Sequence, residues 1–329
     1  MKVAVVGLGS MGKRRIRLIQ KLIRENRLQG WSIIGVDLDE SRREEAQSEF
    51  GISVLDDLGQ AFDVCDAVIV STSPLSHASI VNSALEAGKH VFTEINLVPN
   101  GYEDAIALAD RFDKTLFLSS TFLYRDEISY IANRVSKSKP GMYRYHVGQY
   151  LPDWHPWEDY RSFFVANKET NACRELLAIE LPWLQRIFGR ITNISSIHAK
   201  MSALDLPYDD FYSLTIEHEN GTIGNMQVDV VCRKAVRNFE FSSEDTYLVW
   251  DGSATGLKDL DIDTGILLDI DLYNGSADHQ DDYASFVVEN AYQNELTSFF
   301  DAIEGKFQPS YGYEEDLVTL TLIDEIERR

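Results

Sequence analysis

Gly7, Gly9 and Gly12 fall in the pattern G-x-G-x-x-G, directly after the apolar run Lys2 to Val6. Ile16, Ile19, Leu22 and Ile23 follow at helical spacing, so the glycines stand where a strand hands over to a helix. Each has a physical use there. The first allows a tight turn, the second lets backbone N–H groups reach a pyrophosphate, and the third lets the helix pack close to the strand. Ser10 and Met11 open that helix, whose free amides and positive dipole end suit phosphate. A second apolar run, Trp31 to Val36, ends in Asp37, at close to the ~20-residue interval expected of the acid that binds an adenosine ribose. A carboxylate there repels a 2′-phosphate and favours NAD over NADP, although Arg42 and Arg43 are near enough to soften the preference. The competing reading of Asp37 is a cap for a helix starting near Ser41. Two readings also stand for the basic run Lys13, Arg14, Arg15 and Arg17: a solvated helix face, which is favoured, or a helper for phosphates.

A different chemistry is suggested by Asp153-Trp154-His155-Pro156-Trp157-Glu158-Asp159-Tyr160-Arg161, which is too polar for plain core. Trp154 and Trp157 could stack on the apolar faces of a sugar while Arg161 binds its hydroxyls. His155, with an ordinary pKa near ~6.5, suits a general acid or base; the plainer reading is a packing residue in a turn. The alternating acids Asp259, Asp261, Asp263, Asp269 and Asp271 lack the glycine and closing glutamate of a calcium loop. They read as a solvated sheet edge, and no metal site is expected.

These residues need a scaffold, and 329 residues suffice for two domains. Strands at Ala67–Ser71 and Lys89–Phe92 flank a helix holding Ile80, Val81, Ala84 and Leu85. Alternating strands and helices imply a parallel sheet with ligands at the strands' carboxyl ends, which aims Ser71, Thr72 and Glu94 at a cofactor crevice. Further on, strands crowd together without helices between them: Tyr143–Gln149, Ile191–Met201, Phe211–Glu217, Thr222–Val231, Arg237–Phe241 and Tyr247–Trp250. That pattern is antiparallel, with Asn220-Gly221 as a hairpin turn. The expected α/β architecture is therefore a doubly wound parallel sheet followed by a domain with a mostly antiparallel sheet. Hydrophobic residues make up 44% of the chain and the formal charge is −22, which argues against nucleic acid as a partner. No apolar run long enough to cross a membrane occurs, and the start of the chain reads as a strand rather than a leader. Three scattered cysteines, Cys65, Cys173 and Cys232, suit a reducing cytoplasm better than a disulfide framework.

Ser71-Thr72-Ser73-Pro74-Leu75-Ser76-His77 and Ala84-Leu85-Glu86-Ala87-Gly88-Lys89-His90-Val91-Phe92-Thr93-Glu94, taken with the glycine loop, resemble the Gfo/Idh/MocA family of glucose–fructose oxidoreductase and inositol dehydrogenase. The resemblance implies a Rossmann domain over residues 1–122, followed over 123–329 by an α+β substrate-binding domain whose large, open, mostly antiparallel sheet assembles homodimers or homotetramers. It adds His77 to the cofactor set and puts Arg125 where many members have an N-x-R motif, beside Tyr124, a further catalytic candidate. It also marks departures. Glu94-Ile95-Asn96 stands where members have Glu-Lys-Pro, and aligning Phe188-Gly189 with the end of the second motif puts Ile179 at the catalytic histidine and Pro182 at the second aspartate. Glu175 or Glu180 could then carry the proton with His155, and Arg174 could bind a carboxylate or phosphate of the substrate. The plainer reading makes Glu175 a helix-terminal charge and Glu180 solvent-exposed. The expectation is an NAD-dependent oxidoreductase interconverting hydroxyl and ketone on a sugar, nucleotide sugar or cyclitol. The alternatives are a non-catalytic NAD- and sugar-binding sensor, or a lyase, hydrolase or epimerase that uses NAD transiently.

Overall fold

A computed structural model describes residues 1–154, 158–274 and 287–328. The chain divides into two compact units, Met1–Ser120 with Tyr292–Val318, and Thr121–Ala291 with Thr319–Arg329.

The first unit contains β1 (Lys2–Val6), α1 (Ser10–Arg24), β2 (Ser32–Val36), α2 (Glu40–Phe50), β3 (Ser53–Leu55), α3 (Leu58–Val64), β4 (Ala67–Val70), α4 (His77–Glu86), β5 (His90–Thr93), α5 (Tyr102–Phe112) and β6 (Leu116–Leu118). Its strands lie in the order β3-β2-β1-β4-β5-β6, and all pairs are parallel. The strand order reverses between β1 and β4, which opens a crevice at their carboxyl ends, at Gly7 and Ser71. Val3, Ala4 and Val5 are wholly buried, as are Ala67 to Val70, as expected of strands covered on both faces.

The single boundary expected near residue 122 misses one feature: residues 292–318 belong with the first unit. Apolar packing explains the return. Phe299 meets Phe92 and Phe117 edge-on, with ring centroids 5.5 and 5.8 Å apart, and Phe300 meets Trp31 at 4.8 Å.

The second unit contains α6 (Asp126–Val135), β7 (Met142–Gly148), α7 (Ala172–Phe188), β8 (Ile191–Ala199), β9 (Phe211–His218), β10 (Ile223–Asp229), β11 (Val236–Ser242), β12 (Tyr247–Trp250), β13 (Lys258–Asp261) and β14 (Ile266–Asp269). Helices α8 (Glu289–Ile303) and α9 (Tyr313–Arg328) complete the described elements, each crossing a boundary between the units. The eight strands run β14-β13-β12-β11-β7-β10-β9-β8, antiparallel except for the β7–β10 pair. Strict alternation sorts their side chains: Tyr143, Tyr145, Phe239 and Phe241 are buried, while Met142 and Arg144 are exposed. Helix α7 covers the buried face, with Trp183 edge-on to Phe239 at 5.4 Å. The Asn220-Gly221 turn is a three-residue loop, Glu219–Gly221. His218 C=O accepts the Gly221 N–H, and only Gly221 takes positive φ, as in a type I turn closed by a bulge.

Candidate active site

Sterics fix the glycine loop. A Cβ on Gly12 would lie 1.8 Å from the Gly7 carbonyl oxygen, and one on Gly7, at φ +91°, would lie 2.7 Å from the Ser71 carbonyl. A Cβ on Gly9 would meet nothing closer than Arg42 Nη1 at 4.0 Å, so this position is open to a ligand. Helix α1 starts there with no side-chain cap and no acid in its first turn. An uncapped helix start with an undiminished positive end fits a pyrophosphate. Asp37 Oδ2 accepts the Leu8 N–H at 2.7 Å, and Oδ1 accepts that of Asp39 at 2.9 Å. Asp39, not Asp37, caps α2, which removes the capping reading of Asp37. Arg42 Nη1 lies 3.9 Å from Asp37 Oδ2.

The Lys13–Arg17 run is not the solvated face favoured from sequence, because Arg14 and Arg15 are buried. Arg15 Nε and Nη2 donate to the two Glu94 oxygens at 2.6 and 2.8 Å, and Nη2 also reaches Glu295 Oε2 at 2.8 Å. Burial alone would lower the Arg15 pKa, but Glu94 and Glu295 hold it above the usual guanidinium value. Burial raises the pKa of Glu295. Ser71 Oγ donates to Glu94 Oε1 at 3.3 Å, so Ser71 and Glu94 meet at adjacent strand ends. His77 is buried, with Nδ1 2.7 Å from Asn96 Oδ1 and Nε2 2.9 Å from the Thr72 carbonyl. Burial lowers its pKa, so a neutral ring holds the Ser71–Ser73 turn in place.

In the second unit, Glu180 is fully buried rather than solvated. Its Oε2 accepts from Tyr145 OH and Trp183 Nε1, both at 2.6 Å, and its Oε1 from Arg237 Nε at 2.8 Å. Three donors hold this carboxylate in the buried framework. Glu175, five residues earlier on α7, differs: its Oε2 is buried without a hydrogen-bond partner. Burial pushes its pKa up to about 7, against the pull of the Arg237 charge. Near-neutral pKa and spare hydrogen-bonding capacity are what a general acid–base group requires.

The remaining candidates are placed as follows. Arg174 donates to Glu327 at 2.6 Å and Asp324 at 2.7 Å. Arg125 is buried in a two-point pair with Glu127, its guanidinium 4.7 Å from the Trp250 ring centroid. Both arginines thus have partners within their own unit. Tyr124 ends a partly exposed 3-10 turn. Trp154 Nε1 donates to the Gln149 carbonyl, and exposed Arg161 pairs with Asp159, whose pKa it draws down to about 2. His155 and Trp157 lie outside the described residues. Among the alternating acids, Asp259 is buried against Arg134 and Tyr130, whereas Asp263, Asp269 and Asp271 are exposed as expected.

Sequence reasoning passed over Arg237 and misjudged Arg15, although both left a signal. Arg237 is in phase with Phe239 and Phe241 on the buried side of its strand, and Arg15 is in phase with Ile19 and Leu22 on α1. A charge on an apolar stripe calls for a buried partner.

Parallel strands, an open glycine loop and a terminal acid define a dinucleotide-binding protein. Residues 1–119 match the family described as the GFO_IDH_MocA oxidoreductase family, NAD-binding Rossmann fold, so the N-terminal domain is an NAD-binding domain of that oxidoreductase family. Solved structures extend the likeness in fold to the whole chain. GenD2 from gentamicin A biosynthesis, in complex with NAD, is 17% identical with a TM-score of 0.78, covering 100% of this chain and 93% of that one. UDP-N-acetylglucosamine 3-dehydrogenase GnnA from Acidithiobacillus ferrooxidans gives 15% and 0.74, covering 100% and 97%. Levoglucosan dehydrogenase in complex with NADH gives 15% and 0.79, covering 100% and 96%.

Proposed function

We propose that this chain is an NAD-dependent oxidoreductase interconverting a hydroxyl and a ketone on a sugar, a nucleotide sugar or a cyclitol. One observation carries the reading: a chain with an NAD-binding domain also holds a carboxyl group, Glu175, with one buried oxygen lacking a hydrogen-bond partner and a pKa raised by burial to about 7. When bound, NAD supplies the hydride acceptor and donor. Gly7, Gly9, Ser10, Met11 and Gly12 bind its pyrophosphate, and Asp37 its ribose. Ser71, Thr72 and Glu94 line the crevice, the turn being braced by His77 and the carboxylate by Arg15. Glu175, ionised, takes the hydroxyl proton in the oxidising direction and, protonated, returns it in the reducing direction. His155 is its sequence-derived partner in the relay, with Trp154, Trp157 and Arg161 as sugar contacts. Glu180, Arg174 and Arg125 are assigned to the buried framework. The class of substrate is supported by relatives whose names carry a nucleotide sugar and levoglucosan.

Assembly into a homodimer or homotetramer through the eight-stranded sheet is part of the same proposal, supported by exposed Met142, Ile197 and Ile223 on its strands. Among the described residues no helix is long and apolar enough to cross a membrane, and the three cysteines are unpaired, which supports a cytoplasmic setting.

A sensor without turnover is favoured by one observation, the isoleucines Ile95 and Ile179 at the positions where the resemblance places lysine and histidine. Mixing the protein and NAD with pools of sugars, nucleotide sugars and cyclitols separates the two. Reduced-nicotinamide absorbance growing with one pool supports the oxidoreductase; tight binding of NAD and of a sugar with no growth from any pool supports the sensor.

A further inference from the structure

We propose that His146, Asp229 and Cys232 form a binding site for a divalent transition-metal ion of the zinc type. Strand pairing brings the first two together. In the parallel β7–β10 register His146 lies opposite Gln227, and Asp229 lies opposite Gly148. A Cβ on Gly148 would lie 2.9 Å from both Asp229 oxygens, so this carboxylate occupies the space that a side chain would fill. There Oδ2 sits 2.8 Å from His146 Nε2.

The chain then turns about the same carboxylate. The N–H groups of Val231 and Cys232 donate to Oδ1 at 3.1 and 2.8 Å, which carries the thiol back toward the histidine. The nitrogen, oxygen and sulfur atoms all lie within 4.8 Å of one another. Metal bonds of about 2.0–2.3 Å would draw them around one ion with a small rotation of the thiol, which now donates to the Lys234 carbonyl at 3.0 Å. The Gln227 amide nitrogen lies 3.3 Å from His146 Nε2 and donates to Asp229 Oδ2 at 3.2 Å, so a flip of the amide would turn its oxygen toward the ion as a fourth ligand.

The donor set selects the ion. A thiolate with an imidazole favours zinc over magnesium or calcium, and the thiolate and carboxylate together neutralise a 2+ charge. The backbone N–H groups on Oδ1 orient the carboxylate, as outer partners of a metal ligand commonly do. The guanidinium of neighbouring Arg233 is held over the Tyr150 ring, 4.0 Å from its centroid. His146 is partly exposed, beside a hollow of about 610 Å³ on the sheet, which leaves an entry path. An ion there would fasten the chain after β10 to strand β7. The ligands are far apart in sequence, so no short motif announces them.

Tag-free, metal-stripped full-length protein, titrated with cobalt(II) and then zinc(II), tests the site. The expected result is one ion per chain and a thiolate-to-cobalt charge-transfer band that zinc abolishes. Cys232→Ser should lose the band, and His146→Ala should weaken binding by about tenfold or more. Circular dichroism and retained NADH binding check that both variants fold. Wild type supplies a second readout: zinc should protect Cys232 from alkylation. Binding without a thiolate band, binding unchanged in both variants, or no protection of Cys232 would overturn the assignment.

Discussion

Glu175 and Glu180 lie on one helix near one arginine, yet Tyr145, Trp183 and Arg237 all donate to Glu180, whereas Glu175 keeps a buried oxygen without a hydrogen-bond partner. If Glu175 carries the proton, Glu175→Gln should bind NADH normally and lose about 10²–10⁴ in kcat. Oxidation by the wild type should rise with pH through about 7, as the carboxyl ionises. The same group sets a stability trend. Its pKa is raised from 4.5 to about 7 in the folded state, so between these values the folded chain holds a proton that the unfolded chain has released. Its contribution to stability therefore falls as pH rises across that window. Denaturant midpoints measured from pH 4.5 to 8 should show this decline in wild type and a flatter profile in Glu175→Gln.

At the scale of elements, the buried Arg15 cation joins α1 to the end of β5 through Glu94 and to α8 through Glu295. Arg15→Ala would leave two carboxylates buried without their cation and should cost about 3–5 kcal/mol in denaturant unfolding. NADH affinity should fall as Glu94 loses its brace. These elements were unequally legible in the sequence. Periodicity located β1, β2, β4 and the interior strands of the second sheet within a residue or two, because buried parallel strands are continuously apolar and the half-buried strands alternate. Short β3 and β6 carry too few residues to show a pattern, and β14, three apolar residues and an aspartate all exposed, offers no alternation. The glycine loop was readable because each glycine answers a local steric demand. The Glu175 environment was not, because it depends on Arg237 from a distant strand, and the thiol and imidazole near Asp229 are separated in the same way.

At the scale of the whole molecule, the first unit is closed by residues 292–318, which supply Phe299 and Phe300 to its core and Glu295 to Arg15. A fragment ending at Ser120 would expose Phe92 and Phe117 and leave Arg15 with one carboxylate fewer. It should show no cooperative thermal transition, whereas the full chain unfolds cooperatively; scanning calorimetry of the two would show this, and a sharp transition in the fragment would refute it. The central claim is hydride transfer by the intact chain, and isotopic transfer tests it most directly. NADH deuterated at C4 on the transferred face is incubated with the protein and pooled keto-sugars and keto-nucleotide-sugars, and the products are weighed by mass spectrometry. The account predicts one deuterium on a ring carbon of one product, with the yield collapsing in Glu175→Gln. Tight NADH binding without deuterium in any product would contradict it.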